Sequence, residues 1–226
     1  MNASPSIWNT IKAALIQNRI PAIVLQIFAA CILGLYFGVE ALRPAFEAIG
    51  ELKASVGIVF AILSTSIFGG LIPWAVMAHR GRIPPGMRMK HFLFYVLYWA
   101  FQGAVVDTLY TYQTVWFGSG TDFKTLFSKM LVDQLPFNLI WATPVGLLFY
   151  GWKNCRFSWA RFRKDHSRKI LIHSYATIQF SSWMVWVPAV LMVYSLPPDL
   201  QIPLFNLVLC FFSLVLTFVT RSDQAL

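Results

Sequence analysis

Long apolar runs alternate with short polar gaps along this chain. A helix needs about 20 largely apolar residues to cross the hydrocarbon core of a bilayer. Six segments meet or approach that length. They run from about Ile20 to Val39, Ser55 to Ala78, His91 to Phe117, Leu131 to Trp152, within Ile170 to Leu196, and from Ile202 to Thr220. Gln26 is the one polar interruption of the first, Asp107 lies inside the third, and Asp133 and Gln134 open the fourth. Pro84-Pro85-Gly86 separates the second from the third and Pro197-Pro198 the fifth from the sixth, as expected of residues that break helices. The stretch 121–131 predicts a surface helix, with Phe123, Leu126, Phe127, Met130 and Leu131 on one face and Lys124 and Lys129 free to snorkel.

Composition agrees with this pattern. Hydrophobic residues make up 58% of the 226 and charged residues 12%, against about 25% charged in a soluble domain. Mean hydropathy is +0.62, so lipid suits most of the surface better than water. Nine Trp suit the bilayer interfaces. The expected fold is all-α: a single multi-pass transmembrane bundle of six spans, with 1–54 an N-terminal extension carrying the first helix.

The net charge of +9 is carried by the gaps. Arg80, Arg82, Arg88 and Lys90 occupy the second loop. Lys153, Arg156, Arg161, Arg163, Lys164, Arg168 and Lys169 occupy the fourth. With six spans, fourteen of the eighteen Lys and Arg, including Lys12, Arg19 and Arg221, fall on one side, and four (Arg43, Lys53, Lys124 and Lys129) on the other. The positive-inside rule then puts both termini in the cytoplasm or matrix. This distribution argues for anionic lipid headgroups at the basic loops and against nucleic acid. The first apolar run is full length, so no cleavable signal is expected.

Candidate chemistry is sparse. A mid-membrane carboxylate costs about 2.5–3.5 kcal/mol on insertion scales. Asp107 must therefore line a pore, handle protons, or be buried against a neighbouring helix. Asp133 and Gln134 sit near the same depth, where two carboxylates attract cations or shift one another's ionisation. The plainer reading of Asp133 is an interfacial charge near a helix start. His173, Gln179 and Asn206 are further polar groups in the last two segments, each a pore-lining candidate or a simple interhelical bond. Gly57, Ala61, Thr65 and Gly69 recur every four residues and predict a close helix approach, as do Gly34 and Gly38. Cys31, Cys155 and Cys210 read as free thiols. No HExxH, GxSxG or Walker A pattern occurs, and the four His show no i,i+4 pairing. Neither an enzyme nor a metal or cofactor site is expected.

The run Lys129-Met130-Leu131-Val132-Asp133-Gln134, with Pro136 and Pro144, resembles the family of the Mpv-seventeen protein and the 22-kilodalton peroxisomal membrane protein. Trp159-Ala160 before Asp165, Trp186-Val187-Pro188, and Leu196-Pro197 followed by Asn206 are similar to its later motifs. The resemblance covers residues 55–221. The interval Ala189–Ser195 lacks the Gln and Asn-Phe usual there, Gln179 being the other residue that could take the glutamine's place. Gln201 stands where the family has Arg. The additional first segment resembles the longer, bacterial-type members. The resemblance implies a small multi-pass protein of a bacterial, mitochondrial inner or peroxisomal membrane, with a role in passing small solutes.

The expected function is accordingly a channel or pore-like protein for small solutes or ions, with Asp107, Asp133 and Gln134 in its outer half and a weak cation preference. The alternative is a non-transporting structural or adaptor protein. Partners are the bilayer and, as an open alternative, further copies of the chain in a homo-oligomer. A lipid-active enzyme using Asp107 and His173 is a third reading. A bacterial plasma membrane is the first expectation for localisation.

Overall fold

The computed structural model describes residues 6–219, with side chains through 215. Arg221 and the end of the sixth predicted segment lie outside them. The described chain is helical throughout, without strands. In order it forms α1 (Ile7–Gly38), a short 3-10 turn (Glu40–Leu42), α2 (Arg43–Val56), α3 (Ile58–His79), α4 (Arg88–Phe117), α5 (123–154), α6 (Trp159–Asp165), α7 (Arg168–Tyr194) and α8 (Pro198–Val219).

Five of these helices, α1, α3, α4, α7 and α8, are long and apolar enough to cross a membrane. They coincide with the first, second, third, fifth and sixth predicted segments. The protein is therefore a membrane protein. The fourth predicted segment lies in α5, which has the length but is diluted by Asp133, Gln134 and Asn138 and is not among the five.

The surface is built for lipid. Ile20, Ile23 and Ile27 of α1, Leu97 of α4 and Ile140 of α5 all point outward, Ile140 at 72% exposure. Between helices in lipid there is no hydrophobic drive to associate, so close packing and interhelical hydrogen bonds must hold the bundle. α8 is its axis, touching α1, α2, α3, α4 and α7. Its Ile202, Leu204, Val208 and Leu209 pack with Leu25 and Ala29 of α1 and Val185, Ala189 and Val193 of α7.

Glycines set the closest approach. A Cβ on Gly103 of α4 would collide with the Ala61 carbonyl and the Thr65 side chain of α3, and one on Gly70 would lie 2.7 Å from the Tyr95 carbonyl. Of the predicted small-residue stripe, Ala61, Thr65 and Gly69 are buried at such contacts. Gly57 is not: nothing lies within 4 Å of its would-be Cβ. Its φ of 62° ends α2 and starts α3, a backbone shape that favours glycine. Gly34 and Gly38 likewise meet nothing within this chain.

Two helices contain widened, π-helical turns, at Ser66–Leu71 in α3 and Asp133–Ala142 in α5. Both have proline at hand, Pro73 two residues after the first and Pro136 inside the second. Proline lacks the N–H that a regular turn needs. The start of α5 is capped by Asp122, which accepts hydrogen bonds from the Thr125 hydroxyl (2.7 Å) and amide (3.1 Å). Those bonds hold the exposed Asp122 carboxyl below its ordinary range. The predicted surface helix at 121–131 is thus the first part of α5, continuous with the π-helical stretch that begins at Asp133. Phe123 is exposed as expected, but Lys129 does not snorkel: it is 1% exposed, with its amine over the Tyr194 ring.

Candidate functional site

Asp107 is met by a cation. Lys53 Nζ lies 2.9 Å from its Oδ1, and both side chains are about nine-tenths buried. Lys53 belongs to α2, in the first predicted loop. Gly57 turns the chain just after it, so the end of α2 stays beside α3, while α3 packs on α4 through Gly103. Asp107 is one turn along α4 from that contact. Of the readings open for Asp107, burial against a neighbouring helix is the one observed, with a charge partner rather than a neutral one.

Asp133 is the centre of a larger constellation. Its Oδ1 accepts from Gln134 Nε2 and its Oδ2 from the Tyr194 hydroxyl, both at 2.6 Å. Gln113 Nε2 of α4 donates to the same Tyr194 oxygen at 3.0 Å. Gln134 Oε1 accepts from Asn138 Nδ2 (3.0 Å), which also donates to Ser182 Oγ (3.0 Å). Asn138 Oδ1 accepts from the Thr143 hydroxyl (2.9 Å) and, more weakly, from Gln179 Nε2 (3.4 Å). Trp183 Nε1 donates to the Gln134 carbonyl at 3.0 Å. Asp133 is 5% exposed and lies inside α5 rather than at a helix start.

The local fold explains the alignment. Asp133, Asn138 and Thr143 are each five residues apart. On a regular helix that spacing rotates side chains off one face. In a π-helix, bonding five residues back keeps them near one another. Polar side chains from α4, α5 and α7 thereby join into one buried run. From Tyr194 to Gln179 is fifteen residues of α7, about 22 Å at 1.5 Å per residue, most of a hydrocarbon core about 30 Å thick. At its two ends Gln113 Oε1 and Gln179 Oε1 are buried with no hydrogen-bond partner among the described residues.

Farther along α4 and α5, Trp141 Nε1 donates to Gln102 Oε1 (3.2 Å) and Gln102 Nε2 to the Tyr98 hydroxyl (3.1 Å). Lys153 ends this side. Its amine donates to the Tyr95 hydroxyl at 2.9 Å and sits over the rings of Tyr150 (4.8 Å) and Tyr95 (4.9 Å). An aromatic cage in place of a carboxylate suits a cation partly removed from water.

The other predicted residues are placed apart. Asn206 joins helices α8 and α3: Thr65 Oγ1 donates to its Oδ1 and its Nδ2 donates to Ser64 Oγ, both at 2.8 Å. It is a packing bond at the bundle axis, outside the run. His173 is separate too, on an open groove between the beginnings of α1 and α7. Asp107 and Asp133 are each satisfied by different partners. Sequence reasoning missed Lys53, Gln113, Asn138, Lys153 and Tyr194. Asn138 had a visible signal, lying four residues after Gln134 in an apolar run. Tyr194 had no signal in the sequence pattern, lying in an apolar stretch just before Pro197-Pro198.

No family model, curated protein or solved structure matches the chain.

Proposed function

We propose that this protein is a six-span channel or pore-like protein for small solutes or ions, whose path follows the polar run between α4, α5 and α7. In this reading α5 is the sixth crossing, its polar face turned inward and Ile140 toward lipid. Both termini and the basic loops lie on the cytoplasmic face of a bacterial plasma membrane. The resemblance at Lys129–Gln134 supports the same reading, because that stretch supplies the centre of the run.

One observation carries the proposal. Buried polar groups inside a membrane protein are expensive and mark pathways. Here they connect along about 22 Å of α7 and end in amide oxygens without partners among the described residues. The run is closed: the Tyr194–Asp133–Gln134 bonds span it, and transport requires them to exchange for bonds to water or solute. Carboxylates and amide oxygens favour cations.

Planar-bilayer recording on reconstituted protein tests this. The expected result is a conductance with cation preference that Asp133→Asn reduces. Well-folded protein that never conducts would refute the channel reading, and unchanged selectivity in Asp133→Asn would refute the assignment of that residue. A non-transporting structural role is the second reading. It is favoured by the density of bonding in the same run and by Gly34 and Gly38, open to an approaching helix on the outside of α1. A stoichiometric partner retained through purification, together with silence in the bilayer, would support it.

A further inference from the structure

The beginnings of α1 and α7 leave between them an open groove of about 430 Å³. Thr10 lines one side, and Lys169, His173, Ser174 and Thr177 of α7 the other. Ile170 and Ile178, both more than 40% exposed, complete it as an apolar wall toward lipid. Farther into the bundle the seam between the two helices is bridged by Asn18 Nδ2 donating to Ser181 Oγ at 3.4 Å. The groove therefore opens at the helix starts. There Trp8, 53% exposed with the Lys12 amine over its ring, has the character of a membrane-interface anchor.

We propose that this groove holds the headgroup of one anionic phospholipid. Its chemistry is divided as an amphipathic ligand requires, with donors at the mouth and an apolar wall beyond. The donors are not all spent. The Thr10 and Thr177 hydroxyls donate to backbone carbonyls of their own helices, those of Ser6 and His173. Lys169 makes no ion pair among the described residues, and its amine, the Ser174 hydroxyl and the His173 ring remain to meet phosphate oxygens. Charge complementarity points the same way, because Arg161, Arg163, Lys164 and Arg168 crowd the preceding loop. The volume falls within the range of about 300–1,000 Å³ typical of small-molecule sites. The site needs only a membrane-embedded chain, and it stands whether or not the bundle conducts.

Native mass spectrometry of the full chain in mild detergent tests the site, with phosphatidylglycerol or phosphatidylcholine added. The wild type is expected to retain one phosphatidylglycerol in preference to phosphatidylcholine. Lys169→Glu, at an exposed position that leaves the fold intact, is expected to weaken retention on the order of tenfold. Lys164→Glu, the same charge change outside the groove, is expected to leave it unchanged. Ser174→Phe fills the groove without altering charge and is expected to abolish retention. Equal retention of the two lipids, or equal loss in the two lysine variants, would overturn the proposal in favour of no site or of diffuse attraction. Displacement of the lipid by millimolar inorganic phosphate would overturn the assignment to a lipid.

Discussion

Removing either charge of the Lys53–Asp107 pair should damage the fold far more than removing both. At 2.9 Å and an effective dielectric near 20, the attraction is about 6 kcal/mol. Desolvating the two ions offsets most of it, several kcal/mol for each. The pair as a whole is thus worth little against a neutral substitute. A single survivor is another matter, since it stays buried without its partner, at about 3–5 kcal/mol. Lys53→Met and Asp107→Asn should each destabilise by about that amount, and Lys53→Met/Asp107→Asn by much less than their sum. The assay is equilibrium unfolding of the purified protein in detergent, analysed as a double-mutant cycle. If the two single effects add to the double within about 0.5 kcal/mol, the residues are uncoupled and Lys53 is not what accommodates Asp107 in the bundle.

The packing sets four further outcomes. Gly103→Ala drives a methyl into the Ala61 carbonyl and should destabilise by about 1–3 kcal/mol, while Gly34→Ala, which meets nothing, should be nearly neutral in the same unfolding assay. Asn206→Leu severs the bonds to Thr65 and Ser64 and should lower stability by about 1–2 kcal/mol, given interhelical bonds of about 0.6 kcal/mol, rarely above 1.7, in membranes. Tyr194→Phe deprives Asp133 of a donor and Gln113 of an acceptor; a loss of about 1–3 kcal/mol is expected in the unfolding midpoint, and no change would mean the run is not cooperative. Asp122→Ala uncaps α5 and should speed hydrogen exchange at Thr125 and its neighbours without disturbing the Asn138 region.

The membrane helices were legible because lipid imposes a crude requirement, length and apolarity, that survives any detail of packing. The polar residues were legible as anomalies: Asp107, Asp133 and Gln134 stood out against apolar runs. Their partners were not. Lys53 belongs to a gap and reads as a loop charge, and nothing in the pattern of α2 announces that Gly57 folds it back beside α3, within reach of Asp107. Asn138 and Thr143 fall on Asp133's face only in a widened helix, so a period of 3.6 separates residues that the fold unites. Gly57 shows the converse error. Its spacing fitted a packing stripe, but its positive φ makes it a hinge between helices. His173 lies on an outer groove because polar residues on α7 serve two faces, one toward α5 and one toward α1.

The ion pair also has a consequence for biogenesis. A ribosome delivers α2 before α4, since chains emerge from the N-terminal end. The ammonium of Lys53 has therefore already been made when the segment bearing Asp107 follows it from the ribosome. A carboxylate that would otherwise burden insertion of its helix arrives to a counter-charge made ready some fifty residues earlier. Opening the chain at Gly57 by circular permutation, so that α2 follows α4, would reverse that sequence of events.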